Sequence, residues 1–344
     1  MNSRVLIQHV AWGVCRVRRG LPSICVALAA AMVMPAFGQQ PSVWPDSSPH
    51  KIQRVEVESN ISLEVLDWGG SGRAVVLLAG GGNTAHVFDD FAPPLARRYH
   101  VYGVTRRGYG VSTKPTIGYS VDRLADDVVN VIDALKIERP VVVGHSVAGD
   151  ELSSMGSRHS ERISGLVYLD AAYDRADPAW NAINSKLPQT APTPADRESV
   201  QAFQRWMTRG LRFTLPLSEI YNEFELTADE RIGRSRIPPA VSREILAGMK
   251  KPDYSRVRVP ALALYAQYRS IQEAPGYIED NITVRTALEE YLSLVAARQL
   301  VEIESFKAAA VNAHVARIPG GHYFFLSNPE DTNREIDSFI ARLR

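Results

Sequence analysis

Short runs of consecutive apolar residues constrain this sequence more than any other feature. Runs of this kind, apolar at every position, are typical of strands that helices bury on both faces of a parallel sheet. They occur at Ala74–Leu78, Val101–Val104, Val141–Val143, Leu166–Leu169 and Ala261–Tyr265. Segments with helical spacing of apolar residues stand between them, at Asp122–Lys136 and Thr286–Ala310. The alternation predicts an α/β fold with a doubly wound, mostly parallel sheet.

Two segments depart from this pattern and divide the chain. Residues 55–66 alternate apolar and polar side chains around Ser59-Asn60, which predicts an antiparallel hairpin. Residues 173–259 contain no strand-like run but several helix-compatible stretches with aromatic anchors, so we interpret them as a helical cap. The predicted core is then 52–172 together with 260–344, and a proline-containing linker, 39–51, precedes it.

Residues 1–38 have the features of a secretory signal peptide. Basic residues without an acidic one precede an apolar run from Leu21 to Met34, and Ala36-Phe37-Gly38 offers small residues for cleavage. The run is shorter than the ~20 residues of a membrane-spanning helix. We therefore expect a secreted or periplasmic protein without stable membrane association after cleavage. Cys15 and Cys25 lie within the signal, so no disulfide and no cysteine nucleophile is expected.

Charge and motif spacing exclude several other classes of protein. Lys and Arg number 39 against 38 Asp and Glu, a formal net charge of +1, so bulk charge gives no attraction to nucleic acid. No two histidines have the spacing of a His-Glu-x-x-His metal site, and no phosphate-loop lysine follows a glycine motif. We expect no cofactor, no metal and no nucleic-acid partner, and a small molecule as substrate. The sequence does not indicate an oligomeric state.

One strand leads into a turn that presents a serine. Val141–Val143 is followed by Gly144-His145-Ser146-Val147-Ala148-Gly149 and then by a helix-compatible segment. A strand, a sharp turn and a helix in this order place the serine hydroxyl at the edge of the sheet. The backbone N–H of Val147, at the start of the helix, is then free to bind an oxyanion.

This turn resembles the nucleophile motif G-x-S-x-G of the α/β-hydrolase superfamily, with Ala148 at the last motif position and Gly149 one residue later. The resemblance implies that Ser146 is the nucleophile. It covers roughly residues 54–173 and resumes at residue 260, and it leaves the cap unmatched. We expect the elbow to tolerate Ala148, because alanine is small enough to pass the neighbouring strand.

Two further loops carry the resemblance. Gly80-Gly81-Gly82 follows the first parallel strand, as the family's oxyanion loop does, with Ala79 in place of the usual His. By position, Gly81 is implied to supply the second oxyanion N–H. Residues 104–112 resemble the family's D-x-x-G-x-G-x-S loop, with Thr105 in place of Asp. That loop is implied to support the elbow and to have no catalytic role.

The remaining catalytic residues come from the same resemblance. His322 follows the predicted last strand, where the family carries its histidine, and imidazole takes and returns a proton near neutral pH. The family places its acid after the strand that follows the cap or one strand earlier. Asp170 stands at the earlier point and is preferred, while Glu273 and Asp174 remain alternatives. His145 is expected to pack beside the serine.

These residues predict a serine hydrolase that cleaves a small carboxylic ester or a related acyl bond through a Ser-His-Asp triad and an acyl-enzyme. A proline-iminopeptidase-like aminopeptidase is an alternative, with Glu219, Glu223 or Glu225 of the cap holding the substrate's amino group. A carbon–carbon bond hydrolase with the same triad is another. The departures from the family's motifs also leave open a non-catalytic binding protein on the same fold.

Overall fold

The computed structural model describes residues 46–188, 190–278, 280–310 and 312–343. The predicted signal peptide and most of the predicted linker lie outside the described residues. Within the described ranges, no helix has both the length and the hydropathy that a membrane span requires.

Eight of the strands form one sheet. The strands are β1 Lys51–Glu58, β2 Ile61–Gly69, β3 Ala74–Leu78, β4 His100–Thr105, β5 Val141–His145, β6 Gly165–Leu169, β7 Phe224–Leu226, β8 Ile232–Ser235, β9 Ala261–Gln267 and β10 Ala313–Pro319. The order in the large sheet is β1-β2-β4-β3-β5-β6-β9-β10. Only the pairs β1·β2 and β2·β4 are antiparallel, and the others are parallel. The prediction of a mostly parallel sheet is confirmed.

Helices cover both faces of this sheet. They are α1 Ala92–Ala96, α2 Val121–Ala134, α3 Ala148–Arg158, α4 Ala179–Asn184, α5 Val200–Leu211, α6 Leu217–Glu223, α7 Pro239–Ala247, α8 Ile282–Ala309, α9 Phe324–Ser327 and α10 Pro329–Ile340. Residues of α2, α3 and α8 pack on one face, and residues of α1, α9 and α10 pack on the other. Ser120 caps α2, because its side chain accepts a hydrogen bond from the Arg123 N–H.

Alternate residues of each central strand enter two separate hydrophobic clusters. On β3, Val76 and Leu78 belong to the cluster of α2 and α3, whereas Val75 and Leu77 belong to the opposite one. All four side chains are at most 2% exposed. Burial of a Val or Leu side chain contributes about 1.5–3 kcal/mol, so every position of such a strand favours an apolar residue. This explains why the central strands appear in the sequence as unbroken apolar runs.

The segment between β6 and β9 contains the helices α4 to α7 and the two-stranded antiparallel sheet β7·β8. The hairpin was not predicted, because strands of three and four residues are too short to show an alternating pattern. Aromatic rings hold this cap together. Phe203 packs against Trp206 and Phe224 at ring separations of 5.1 and 5.0 Å. Trp180 packs against Tyr173, at 5.0 Å, on the core side.

The strand order reverses next to β3. The chain passes from β3 to β4 on one side and later adds β5 on the other side. In open α/β sheets, ligands bind at such a point, outside the carboxyl ends of the strands. Leu78 and Gly144 are register partners near the carboxyl ends of β3 and β5. The Gly80–Gly82 loop and Ser146 therefore emerge side by side.

Candidate active site

Ser146 occupies the sharp turn between β5 and α3. Its φ is 54°, in the left-handed region, a conformation that costs a non-glycine residue on the order of 1–3 kcal/mol. The Ser146 N–H donates to the carbonyl of Leu169 at 3.1 Å, and the Gly149 N–H donates to the carbonyl of Ser146 at 2.9 Å. Both the neighbouring strand and the following helix therefore hold the turn in this conformation.

The positions of alanine and glycine after the serine have a steric explanation. A Cβ atom on Gly149 would lie 2.0 Å from the carbonyl oxygen of Ala171, so only glycine is accommodated there. Ala148 is fully buried, and its methyl group faces Gly144, where an added Cβ would lie 3.0 Å away. The close approach that requires glycine falls one residue later than in the G-x-S-x-G pattern. The structure accommodates Ala148, as expected.

His322 is hydrogen-bonded to Asp170. The Nδ1 atom of His322 lies 2.6 Å from Oδ2 of Asp170. The other carboxylate oxygen, Oδ1, accepts the Tyr173 hydroxyl at 2.6 Å and the Ala266 N–H at 3.0 Å. Burial alone would raise the pKa of Asp170, but these hydrogen bonds and the charge of His322 hold that pKa below its ordinary value. Asp170 is therefore an ionised acceptor held in one orientation.

The two alternative acids do not reach the imidazole. Oε2 of Glu273 accepts the Arg269 N–H at 2.9 Å, and Oε1 accepts its Nε–H at 2.8 Å. Within the described chain, neither Glu273 nor Asp174 forms a hydrogen bond with His322. The structure brings Asp170 to the histidine, at the end of the strand that precedes the cap.

His145 has a second contact that the sequence does not reveal. The residue is fully buried, and its Nε2 donates to the carbonyl oxygen of His322 at 3.0 Å. Its ring packs against the rings of His322 and Tyr323, each at 4.5 Å. His145 packs beside the serine, as expected, and it also fixes the backbone of the loop that carries His322.

The glycine loop after β3 lies directly against the elbow. A Cβ atom on Gly80 would come within 2.7 Å of Nδ1 of His145 and 3.1 Å of Cβ of Ser146. A Cβ on Gly81 would lie 3.5 Å from a methyl group of Val147. The two residues predicted to supply oxyanion N–H groups are therefore neighbours in space.

Arg106 supports this loop from within the protein. Its guanidinium donates to the carbonyls of Ala79 and Gly80 at 3.0 and 3.3 Å. Its Nε donates to Glu151 of α3 at 2.7 Å, and both side chains are buried. Burial would lower the pKa of Arg106, but the Glu151 carboxylate keeps it above the ordinary value. The loop 104–112 is predicted to support the elbow, and Arg106 of this loop contacts both the glycine loop and α3, the helix that follows the elbow.

The cap is hydrogen-bonded to the same loop. Glu219 of α6 accepts the side-chain amide of Asn83 and the backbone N–H of Thr84, each at 2.9 Å. The Tyr323 hydroxyl donates to the side-chain oxygen of Asn83 at 2.7 Å, and Phe213 of the cap stacks on Tyr323 at 4.3 Å. Burial raises the pKa of Glu219 to about 7, although the hydrogen bonds that Glu219 accepts from Asn83 and Thr84 oppose the shift. One network thus joins the cap, the glycine loop and the loop after β10.

Comparison with known families shows which family the chain belongs to. Residues 73–248 match the family model described as the alpha/beta hydrolase fold. The chain belongs to the α/β-hydrolase family. The match begins just before β3 and includes the glycine loop, the elbow and most of the cap.

Two relatives that match this α/β hydrolase over most of its length are named hydrolases. The putative carbamate hydrolase RutD of Caulobacter segnis is 26% identical over 285 residues, which are 81% of this chain and 96% of the relative. The 2-(acetamidomethylene)succinate hydrolase of Mesorhizobium japonicum is 26% identical over 295 residues, 86% of this chain and 97% of the relative. A crystal structure of E-2-(acetamidomethylene)succinate hydrolase superposes with a TM-score of 0.61 at 20% identity, covering 85% of this chain and 99% of that chain. This α/β hydrolase thus shares their fold over most of its length.

Proposed function

We propose that this α/β hydrolase is a serine hydrolase that cleaves a small carboxylic ester or a related acyl bond. The observation that supports the proposal most strongly is the 2.6 Å hydrogen bond between Asp170 and His322. The ring of His322 packs against that of His145, and the next residue along the chain is Ser146, held in a left-handed turn. The names of two relatives, a carbamate hydrolase and an acetamidomethylene compound hydrolase, are consistent with an acyl substrate.

In the proposed mechanism, Ser146 Oγ attacks the substrate carbonyl and His322 Nε2 takes the hydroxyl proton. Because Nδ1 of His322 is bonded to an ionised carboxylate, Nδ1 carries the ring proton and Nε2 has the free electron pair of a base. Asp170 stabilises the imidazolium that forms. The imidazolium then protonates the leaving group, and an acyl-enzyme remains on Ser146.

In the second half of the reaction, water hydrolyses the acyl-enzyme. His322 takes a proton from water as the water attacks the acyl-enzyme, and the proton returns to Ser146 when the carboxylic acid leaves. In both steps, negative charge develops on the carbonyl oxygen. We assign the stabilisation of this charge to the N–H groups of Gly81 and Val147, which lie next to each other where the glycine loop meets the elbow.

Substrate assays with a serine variant test this proposal. The parent enzyme should hydrolyse p-nitrophenyl acetate or butyrate with a higher kcat/KM than it hydrolyses proline p-nitroanilide. Ser146→Ala should lower kcat by on the order of 10⁶-fold, because the triad acts as a unit. Ser154→Ala is the matched control, since Ser154 is a buried serine of α3, the helix that follows the elbow, and its hydroxyl donates to Asp122. Ester hydrolysis by Ser146→Ala within tenfold of the parent would exclude the serine mechanism.

The anilide assay separates the proposed esterase from the aminopeptidase alternative. A higher kcat/KM for proline p-nitroanilide than for the esters would indicate an aminopeptidase. Absence of turnover on every substrate, together with no covalent labelling of Ser146, would indicate a binding protein on this fold.

A further inference from the structure

A second cluster of ionisable side chains lies outside the triad, where the N-terminal segment meets the core. It consists of Asp46 and His50, which precede β1, and of His86 and Asp89, in and directly after the short 3-10 turn that follows the glycine loop. Each residue offers one ligand atom, and these atoms all lie within 4.8 Å of one another. The side chains of His50, His86 and Asp89 are at most 4% exposed, and that of Asp46 is 24% exposed.

The spacing of the nitrogen and oxygen atoms is that of a small metal site. His50 Nδ1 and His86 Nδ1 lie 2.9 and 3.1 Å from the two carboxylate oxygens of Asp89. Oδ2 of Asp46 lies 3.4 Å from Nδ1 of His86 and 3.4 Å from Nε2 of His50, so Asp46 and Asp89 face different nitrogens of His50, of which an ion would take one. Zn²⁺ binds histidine nitrogen and carboxylate oxygen at about 2.0–2.2 Å in a tetrahedron, whose edges are then about 3.4 Å. With one ligand atom taken from each residue, all four lie within 4.8 Å of one another, so the longest separation has to shorten by up to about 1.4 Å to reach this edge length.

His86 has a further feature that points to a metal. Its Nδ1 faces the cluster, and its buried Nε2, the other ring nitrogen, faces Oε1 of Glu64 at 3.5 Å. Glu64 is itself held by the Thr105 hydroxyl, which donates to Oε2 at 2.7 Å. A histidine that binds a metal through one nitrogen usually donates its other N–H to a carboxylate. Glu64 occupies that position.

Three carboxylates surround the two imidazoles and require compensating positive charge. Asp46, Glu64 and Asp89 contribute three carboxylates, and among the described residues no lysine or arginine forms an ion pair with any of them. Buried charges require compensation, because transfer of an isolated carboxylate out of water is costly. A divalent cation supplies this compensation, and the alternative is a cluster neutralised only by protons on the histidines.

We propose that Asp46, His50, His86 and Asp89 bind one structural Zn²⁺ ion, with Glu64 orienting His86. Four protein ligands leave no open position, which is typical of structural rather than catalytic zinc. The ion joins the segment before β1 to the turn after the Gly80–Gly82 loop. The Ser218 hydroxyl of the cap helix α6 also donates to Asp89, so the site contacts the cap. Sequence spacing did not predict it, because its ligands come from separate segments.

Metal analysis of the whole protein, carrying no histidine tag, tests the proposal. After treatment with EDTA and dialysis against buffered zinc, the parent should retain about one zinc ion per chain by mass spectrometry of the metal. Zinc should raise the Tm of the EDTA-treated protein. Co²⁺ in the same site should give the intense visible bands of tetrahedral coordination. Less than a tenth of an equivalent of zinc, with a Tm that zinc does not change, would overturn the proposal in favour of proton-neutralised ion pairs.

Variants locate the ion. Glu64→Gln should weaken zinc binding by 10–100-fold in competition with a chromophoric chelator, and Asp46→Asn at least as much. Asp46 is at the exposed edge, so its variant remains informative if His86→Ala does not fold. The control is His159→Ala, because His159 forms an ordinary surface pair with Asp126 at 2.8 Å. Parental zinc affinity in both Asp46→Asn and Glu64→Gln would also overturn the proposal.

Discussion

Three hydrogen-bond donors hold the carboxylate of Asp170 in one orientation. The imidazole of His322, the hydroxyl of Tyr173 and the N–H of Ala266 all bind its carboxylate. Asp170 itself has a φ of 45°, so the chain adopts an uncommon conformation to direct this side chain. A carboxylate fixed in this way selects one tautomer of His322, and replacement by an amide removes that selection.

Asp170→Asn should therefore lower kcat for p-nitrophenyl butyrate by roughly 10⁴-fold, because the histidine then presents the wrong tautomer to the serine. Steady-state kinetics with a circular dichroism check of folding measure this. Glu273→Gln serves as the control and should retain parental kcat, since Glu273 binds Arg269 instead. The reverse result, with Glu273→Gln losing activity and Asp170→Asn keeping it, would assign the acid to Glu273.

Asp150 is expected to make the stability of the fold depend on pH. It lies in the first turn of α3, is buried, and has one carboxylate oxygen without a hydrogen bond in the described chain. Burial raises the pKa of Asp150 to about 7, although Arg175 opposes the shift. An unfolded aspartate titrates near ~3.9. Between about pH 4 and 7 the folded state thus keeps a proton that the unfolded state releases, and the free energy of unfolding falls as pH rises.

Asp150→Asn should remove this dependence. Urea unfolding from pH 5 to 8 should show the variant gaining stability relative to the parent as pH rises, by at most about 1.4 kcal/mol per pH unit and levelling off above pH 7. Glu330→Gln is the comparison, since Glu330 is an exposed acid in the first turn of α10. A constant difference between Asp150→Asn and the parent across this range would show that Asp150 is ionised in the fold throughout.

At the scale of elements, regular packing was predictable from sequence and contacts between distant segments were not. Central strands buried on both faces appear as apolar runs, so the sheet and the elbow after β5 could be predicted. The hydrogen bonds of Arg106 with Glu151 and with the glycine loop could not be predicted, because these partners are distant in sequence and no motif links them to Arg106. The choice between Asp170 and Glu273 likewise depended on which strand end faces His322 in the fold.

Two glycine substitutions in helices should have opposite effects on stability. Gly149→Ala places a methyl group 2.0 Å from the Ala171 carbonyl and should destabilise the protein by roughly 1–3 kcal/mol or more, with loss of activity because Ala171 follows Asp170. Gly210→Ala, in α5, meets no atom within 4 Å and should stabilise by up to about 1 kcal/mol. Urea unfolding measures both. Equal effects would show that Gly149 is not required by close approach.

In the whole molecule, the sheet brings loops that are distant in sequence to one crevice. Hydrogen bonds and ring contacts join the cap to these loops. Phe213 stacks on Tyr323 beside His322, whereas Phe203, Trp206 and Phe224 pack with one another inside the cap. Of these aromatic residues of the cap, the last three pack with one another and Phe213 lies near His322. This division could not be predicted, because the sequence does not show which aromatic side chains of the cap face the core.

We propose that the whole protein is exported, on the basis of its acid-free, arginine-containing start and short apolar run. Expression of the full gene in a bacterium should yield a mature chain that begins near Gln39 in the extracytoplasmic fraction. N-terminal peptide mass spectrometry identifies the first residue. Recovery of a chain that begins at Met1 from the cytoplasm would contradict the proposal.

Covalent labelling of the nucleophile tests the central claim most directly. A fluorophosphonate probe should react with the parent enzyme, and peptide mass spectrometry should find the adduct on Ser146. Ser146→Ala should abolish the label and His322→Ala should slow it strongly, because the serine then lacks its base. The Ser154→Ala control should label at the parental rate. Absence of an adduct on folded parent protein, or an adduct on a serine other than Ser146, would contradict the proposed triad.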